Sequence, residues 1–103
     1  INTLLTADYL HDAAPRSSGG ALASQTQGGA NANHLTAPAT DTADWRDEPG
    51  PGNLRVDYVL PSAALNVSGA GVFWPTPGEA GFEWIGSDGR ARSDHRLVWI
   101  DID

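Results

Sequence analysis

The last residues of the chain alternate strictly, with Leu97, Trp99 and Asp101 on one side and Val98, Ile100 and Ile102 on the other. That period of two predicts a closing β-strand over Arg96–Ile102. A second alternating run, Leu54–Leu60, places Arg55, Asp57 and Val59 on one face and Val56, Tyr58 and Leu60 on the other, and Pro61-Ser62 ends it. A further strand is predicted from Leu65 to Trp74, where Gly69 and Gly71 signal a bulge or a close backbone approach. At the start, Ile1, Leu4, Leu5 and Tyr9 fall at helical intervals, with Asn2 or Thr3 as cap. This reads as the end of an amphipathic helix, broken by His11-Asp12 and finished by Pro15.

Between Pro15 and Asn53 the periodicity stops. The segment is rich in Gly, Ala, Ser, Thr and Asn and is expected to be one long loop, with turns at Gly19-Gly20 and Gly28-Gly29. Pro49-Gly50-Pro51-Gly52 forces a turn before the next strand, and Pro75–Arg92 is a second turn-rich stretch holding Phe82, Trp84 and Ile85. The expected organisation over 1–103 is α+β, one small domain or a piece of a larger one, with a loop over 15–53 and sheet strands over 54–103.

Composition narrows the function. Six Lys and Arg against 13 Asp and Glu give a net charge of -7. A dedicated nucleic-acid module needs basic side chains to neutralise phosphates, so this balance argues against one. A phosphate substrate stays open, because divalent ions supply positive charge and bind clustered carboxylates. Without cysteine there is no disulfide, thiolate metal site or cysteine nucleophile. No apolar run is long enough to span a bilayer, so membrane insertion is not expected. The 12 Gly and 7 Pro dilute the apolar content, and autonomous folding is in doubt for so small a core.

His95 is the foremost chemical candidate. It stands where a loop enters the final strand, and an imidazole there can take a proton from water or, once charged, stabilise phosphoryl oxygens. Such a ring needs a partner on its other nitrogen, and Asp57 on the strand expected alongside has the right chemistry. Asp94 precedes His95, so its side chain is expected to point away, towards a metal or as a brace for the loop.

Together, Gly52-Asn53-Leu54-Arg55-Val56-Asp57-Tyr58-Val59-Leu60 and Ser93-Asp94-His95 through Ile102 resemble the last two motifs of the endonuclease/exonuclease/phosphatase superfamily, the DNase I-like phosphodiesterases. Gly71-Val72-Phe73-Trp74-Pro75 resembles the stretch between those motifs in a bacterial branch. The resemblance covers the second half of the chain well and the first half only loosely. It implies a partial DNase I-like α/β/β/α sandwich and Mg²⁺-assisted (or Mn²⁺- or Ca²⁺-assisted) hydrolysis of a phosphodiester or phosphomonoester. It casts His95 as general base, Asp57 as its orienting carboxylate and Asp94 as the acidic residue at the metal end, while Arg55 matches a motif position without an assigned role. The family's metal-binding Glu, early Asn and Gly-Asp-x-Asn motif are not found here. The expectation is a C-terminal piece of such a hydrolase, inactive alone, whose metal is held mainly by residues outside it. Its partners are then the phosphoester substrate and the remainder of the parent domain, with nucleic acid as a target only of the full-length protein. A periplasmic or extracellular location is favoured over the cytoplasm.

The rival reading is a non-enzymatic acidic binding module, Ca²⁺-stabilised through Asp41, Asp44, Asp47 and Glu48. Their spacing fits no EF-hand, and a solvated acidic loop is the simpler expectation. Trp45, Asn31, Asn33 and His34 are placed beside a substrate pocket or left as ordinary loop residues. Trp74, Trp84 and Trp99 read as core or loop anchors, since no basic residues accompany them. Asn66-Val67-Ser68 matches a glycosylation sequon in a predicted strand.

Overall fold

A computed structural model describes residues 1–28, 31, 37–45, 50–85 and 93–103. Its helices are α1 (Asn2–Leu5) and α2 (Ser18–Gln27), with short 3₁₀ turns at Pro38–Thr40 and Phe82–Trp84. Its strands are β1 (Ala43–Asp44), β2 (Asn53–Leu54), β3 (Val67–Phe73) and β4 (Leu97–Ile102). They form two antiparallel two-stranded sheets, β1–β2 and β3–β4. An isolated bridge from Ala43 to His95 ties the first sheet to the entry of β4. The described fold is a small α+β arrangement, as its pattern predicts at that level. No helix among the described residues is long and apolar enough to cross a membrane.

The expected long loop over 15–53 is corrected. Ser17 accepts a hydrogen bond from the Gly20 amide (3.0 Å) and so caps α2, an Ala-containing helix that Gly28 ends at φ 62°. Gly19 and Gly20 are not turn residues but the first turn of this helix. A Cβ on Gly20 would lie 2.6 Å from the Pro38 carbonyl oxygen, so the helix approaches the 38–40 turn more closely than a side chain allows. Helical periodicity was hidden because α2 has no apolar stripe; its buried residues are the two glycines.

The run 54–60 also departs from expectation. Ladder pairing stops at Leu54, and 55–60 is not a regular strand. The Arg55 guanidinium lies over the Tyr58 ring at 4.6 Å, and the Tyr58 hydroxyl donates to the Arg55 carbonyl (2.9 Å), which strict alternation would forbid. Arg55 turns back because Asp12 draws it: two parallel bonds of 2.9 and 2.6 Å join the guanidinium to the carboxylate. The N-terminal segment follows, with the Leu10–Ser62 bridge and the His11 amide donating to the Pro61 carbonyl (2.9 Å). Helix α1 is accordingly shorter than the predicted Ile1–Leu10.

This pair makes a stability prediction. Hydrogen bonding to Arg55 holds the Asp12 carboxyl below its ordinary value of 3.8, against the opposing effect of burial. A depressed carboxyl contributes stability that is present above the unfolded value and lost as pH falls through the folded one. Asp12→Asn is expected to cost about 1.5–3 kcal/mol at neutral pH, the worth of charge-assisted hydrogen bonds at a partly buried site. Denaturant midpoints of wild type and Asp12→Asn should converge as pH falls below the ordinary carboxylate value and through the depressed one. A gap that stays constant with pH would remove the ion pair from the explanation.

The β3–β4 ribbon keeps its predicted form. Register runs Gly71–Trp99, Val72–Val98 and Phe73–Leu97, and shifts between Val67 and Gly69, where the glycines forecast a bulge. At Gly71 the indole of Trp99 lies where a Cβ would come within 2.7 Å, so close approach is the reason for that glycine. The buried interior is polar: beside Ala43, Val72 and Trp74 it holds Asn31, Thr40, Asp41, Thr42, Asn53 and Arg96. Trp74 is the buried anchor its pattern predicts, whereas Trp84 is exposed and stacks on Phe73. Leu97, Trp99 and Ile102 leave apolar surface on β4.

Candidate functional site

Strand β1 builds the site. The Thr42 amide donates to the Leu54 carbonyl (2.9 Å) on one side, and the Arg96 amide donates to the Thr42 carbonyl (2.7 Å) on the other. The Asp44 amide adds a bond to the Asp94 carbonyl (2.8 Å). Short as it is, this strand holds the 53–57 segment and the 94–96 segment on opposite sides.

Across it, His95 meets Asp57. Nδ1 lies 2.7 Å from one carboxylate oxygen of Asp57 and 3.0 Å from the other. Both side chains are partly exposed, at 49 % and 36 %. A carboxylate only accepts, so it stabilises the proton on Nδ1 and leaves the ring's lone pair at Nε2. Ser93 contributes through the backbone: its hydroxyl accepts from the His95 amide (3.0 Å), and its carbonyl accepts from the Arg96 guanidinium (3.0 Å). The Ser-Asp-His triplet is thus a small turn that aims the imidazole.

Trp45 stands edge-on to this ring, with centroids 5.8 Å apart and planes at 86°. It is the one pocket-bordering candidate of the sequence that the described structure brings to His95. Asn31 lies elsewhere, buried, accepting from the Asn53 amide (2.6 Å). Asn33 and His34 lie outside the described residues.

Behind His95 the chain continues to Arg96, which packs over the Trp74 ring at 4.7 Å and reaches Asp44 at 3.4 Å. Burial pushes the Arg96 guanidinium below its usual value, while the Asp44 and Asp94 carboxylates pull it back up. Asp44 also accepts from Gln27 of α2 (3.1 Å), and Gln27 accepts from Asn53 (2.8 Å). The expected solvated acidic loop is therefore corrected for its first half: Asp41 is fully buried and Asp44 is engaged by Arg96 and Gln27. Asp47 and Glu48 lie outside the described residues.

Asp94 is exposed, and its carbonyl accepts from the Asp44 amide. Among the described residues no three His, Cys, Asp or Glu side chains gather to hold a metal ion. The described carboxylates therefore do not by themselves fit a divalent cation. A cleft of about 300 Å³ opens between α2 and Trp74–Pro77, with Leu22, Gln27, Phe82 and Arg96 on its walls, but neither His95 nor Asp57 lines it. The aligned His95–Asp57 pair and the cleft are therefore separate features of the surface.

What sequence reasoning missed is Thr42. Its side chain is 1 % exposed, and its hydroxyl accepts from both the Val56 and Asp57 amides at 3.0 Å. Its position among acidic residues gave no signal. No family model, curated protein or solved structure matches this chain.

Proposed function

We propose that this chain is the C-terminal part of a metal-dependent phosphoesterase of the endonuclease/exonuclease/phosphatase type, with His95 as general base and Asp57 as its orienting carboxylate. The observation that carries the reading is the 2.7 Å contact between His95 Nδ1 and Asp57, formed across 38 residues by the two motifs that suggested the family. In this role Asp57 keeps the proton on Nδ1, and Nε2 takes a proton from the attacking water. The solvent exposure of the ring gives water access to it.

A divalent ion such as Mg²⁺ supplies phosphoryl charge stabilisation when bound. Its ligands belong mainly to residues beyond this chain, with Asp94 the contribution assigned here, and the described donors do not complete a site. The remainder of the parent domain is also the partner we assign to the exposed Leu97, Trp99 and Ile102 of β4 and to Ile1 and Leu4 of the first helix. The acidic-module alternative draws less support, since Asp41 and Asp44 serve the fold.

The test is hydrolysis of bis(p-nitrophenyl) phosphate and p-nitrophenyl phosphate by the full-length protein with and without Mg²⁺, wild type beside His95→Ala. Metal-dependent turnover that falls by about two decades or more in the variant is expected for loss of a general base. Turnover that is indifferent to the substitution would make the Ser93-Asp94-His95 turn purely structural.

A further inference from the structure

Asp57 hangs from a stretch that has left the sheet. The β1–β2 ladder ends at the Ala43–Leu54 pair, and the amides of Val56 and Asp57 have no ladder partner to receive them. Both instead donate to the Thr42 hydroxyl at 3.0 Å. A hydroxyl offers two lone pairs, and these two amides match that number. The same residue reaches the other half of the dyad, because its carbonyl receives the Arg96 amide at 2.7 Å and its neighbour Ala43 bridges His95. Backbone on both sides of the Asp57–His95 contact is thus referenced to one buried side chain and its own peptide groups.

We infer that Thr42 is a positioning residue for the His95–Asp57 dyad, acting through its hydroxyl on the backbone that carries Asp57; this rests on the general-base reading above. Thr42 is 1 % exposed, so its hydroxyl acts on the backbone around it. Its hydroxyl fixes where the Asp57 carboxylate starts, and a carboxylate set back by a fraction of an ångström no longer holds the Nδ1 proton of a half-exposed ring against solvent. Among β-branched side chains only Thr supplies the acceptor. Valine is the near-isostere that removes it.

The test pairs Thr42→Val with Thr42→Ser in the full-length protein and reads two quantities. The first is the ¹H–¹⁵N correlation of the His95 ring, which reports whether Nδ1 or Nε2 carries the proton and needs no turnover. Thr42→Val is expected to move His95 away from the Nδ1-protonated pattern, whereas Thr42→Ser keeps it. The second is phosphodiester hydrolysis, where the valine variant should lose about ten- to a hundredfold in kcat with KM within about twofold, and the serine variant should stay near wild type. A changed ring pattern with no hydrolysis in any form sustains the positioning role and removes the phosphoesterase reading. An unchanged ring pattern in Thr42→Val overturns the positioning role, whatever the rates. If the valine variant does not fold, amide exchange in wild type and Thr42→Ser decides. Protected Val56 and Asp57 amides in both support the role, and exchange at the solvent rate in wild type overturns it.

Discussion

Asp57→Asn is expected to lower metal-dependent phosphodiester hydrolysis by about two to four decades while leaving the fold in place. The size follows from what an amide does at that position. Asn is nearly isosteric with Asp, and among the described residues the carboxylate oxygens contact only Nδ1, which lies 2.7 and 3.0 Å from them. The amide nitrogen, unlike a carboxylate oxygen, donates, and it is satisfied by the Nδ1 lone pair. That arrangement puts the ring proton on Nε2, the atom required to accept one from water. Asn also removes the negative charge that stabilises the imidazolium once it forms. Hydrolysis of bis(p-nitrophenyl) phosphate at saturating substrate, with thermal melting as the folding control, measures it. A variant within about twofold of wild type would detach Asp57 from the chemistry and leave its contact with His95 a surface ion pair of little consequence.

The Asp57–His95 contact was legible because two segments in the right order, one within an apolar run and one opening another, resemble paired motifs of one superfamily. Alternation located β4, because two-period patterning is visible wherever a strand has one covered face, and the glycines at 69 and 71 located the β3 bulge. Other parts were hidden for physical reasons that can be named. Helix α2 buries glycines rather than an apolar stripe, so nothing in Ser18–Gln27 repeats at helical spacing. Strand β1 is two residues long, below the length at which alternation carries information. Asp41 and Asp44 looked like solvent-facing charges because burial of a carboxylate depends on partners far along the chain, here Gln27 and Arg96 for Asp44. The Arg55–Asp12 pair, joining positions 43 apart, is equally invisible to any local pattern.

These hidden elements share one feature. Among the described residues the fully buried side chains are mostly polar, and the run Asn53–Gln27–Asp44–Arg96 links β2, α2, β1 and the entry of β4. Such contacts are directional, so they fix the geometry of neighbouring backbone more sharply than apolar burial does. A site made of two side chains on irregular segments needs that kind of support. The cost is low tolerance: a displaced member leaves buried polar groups unpaired.

Gly19→Ala should therefore be among the most damaging single substitutions in the chain. In an ordinary helix the change would stabilise by about 1 kcal/mol. Here the added methyl would sit 2.5 Å from the Trp74 Cδ1 and 2.7 Å from its carbonyl carbon, with the carbonyl oxygen closer still. The Gly19 amide already donates to that oxygen at 2.9 Å, so helix and strand end cannot separate without losing the bond. Overpacking against backbone costs about 1–3 kcal/mol or more and exceeds the helical gain. At about 4–8 °C per kcal/mol for a domain of this size, the melting temperature should drop by roughly 10 °C, while Gln25→Ala on the exposed side of α2 should leave it unchanged or slightly raised. The displacement has a path to the dyad: Trp74 supports the Arg96 guanidinium at 4.7 Å, and Arg96 follows His95 directly. Activity should consequently fall at temperatures well below the transition. A Gly19→Ala protein that melts at or above wild type would show that α2 does not dock on Trp74 at this distance.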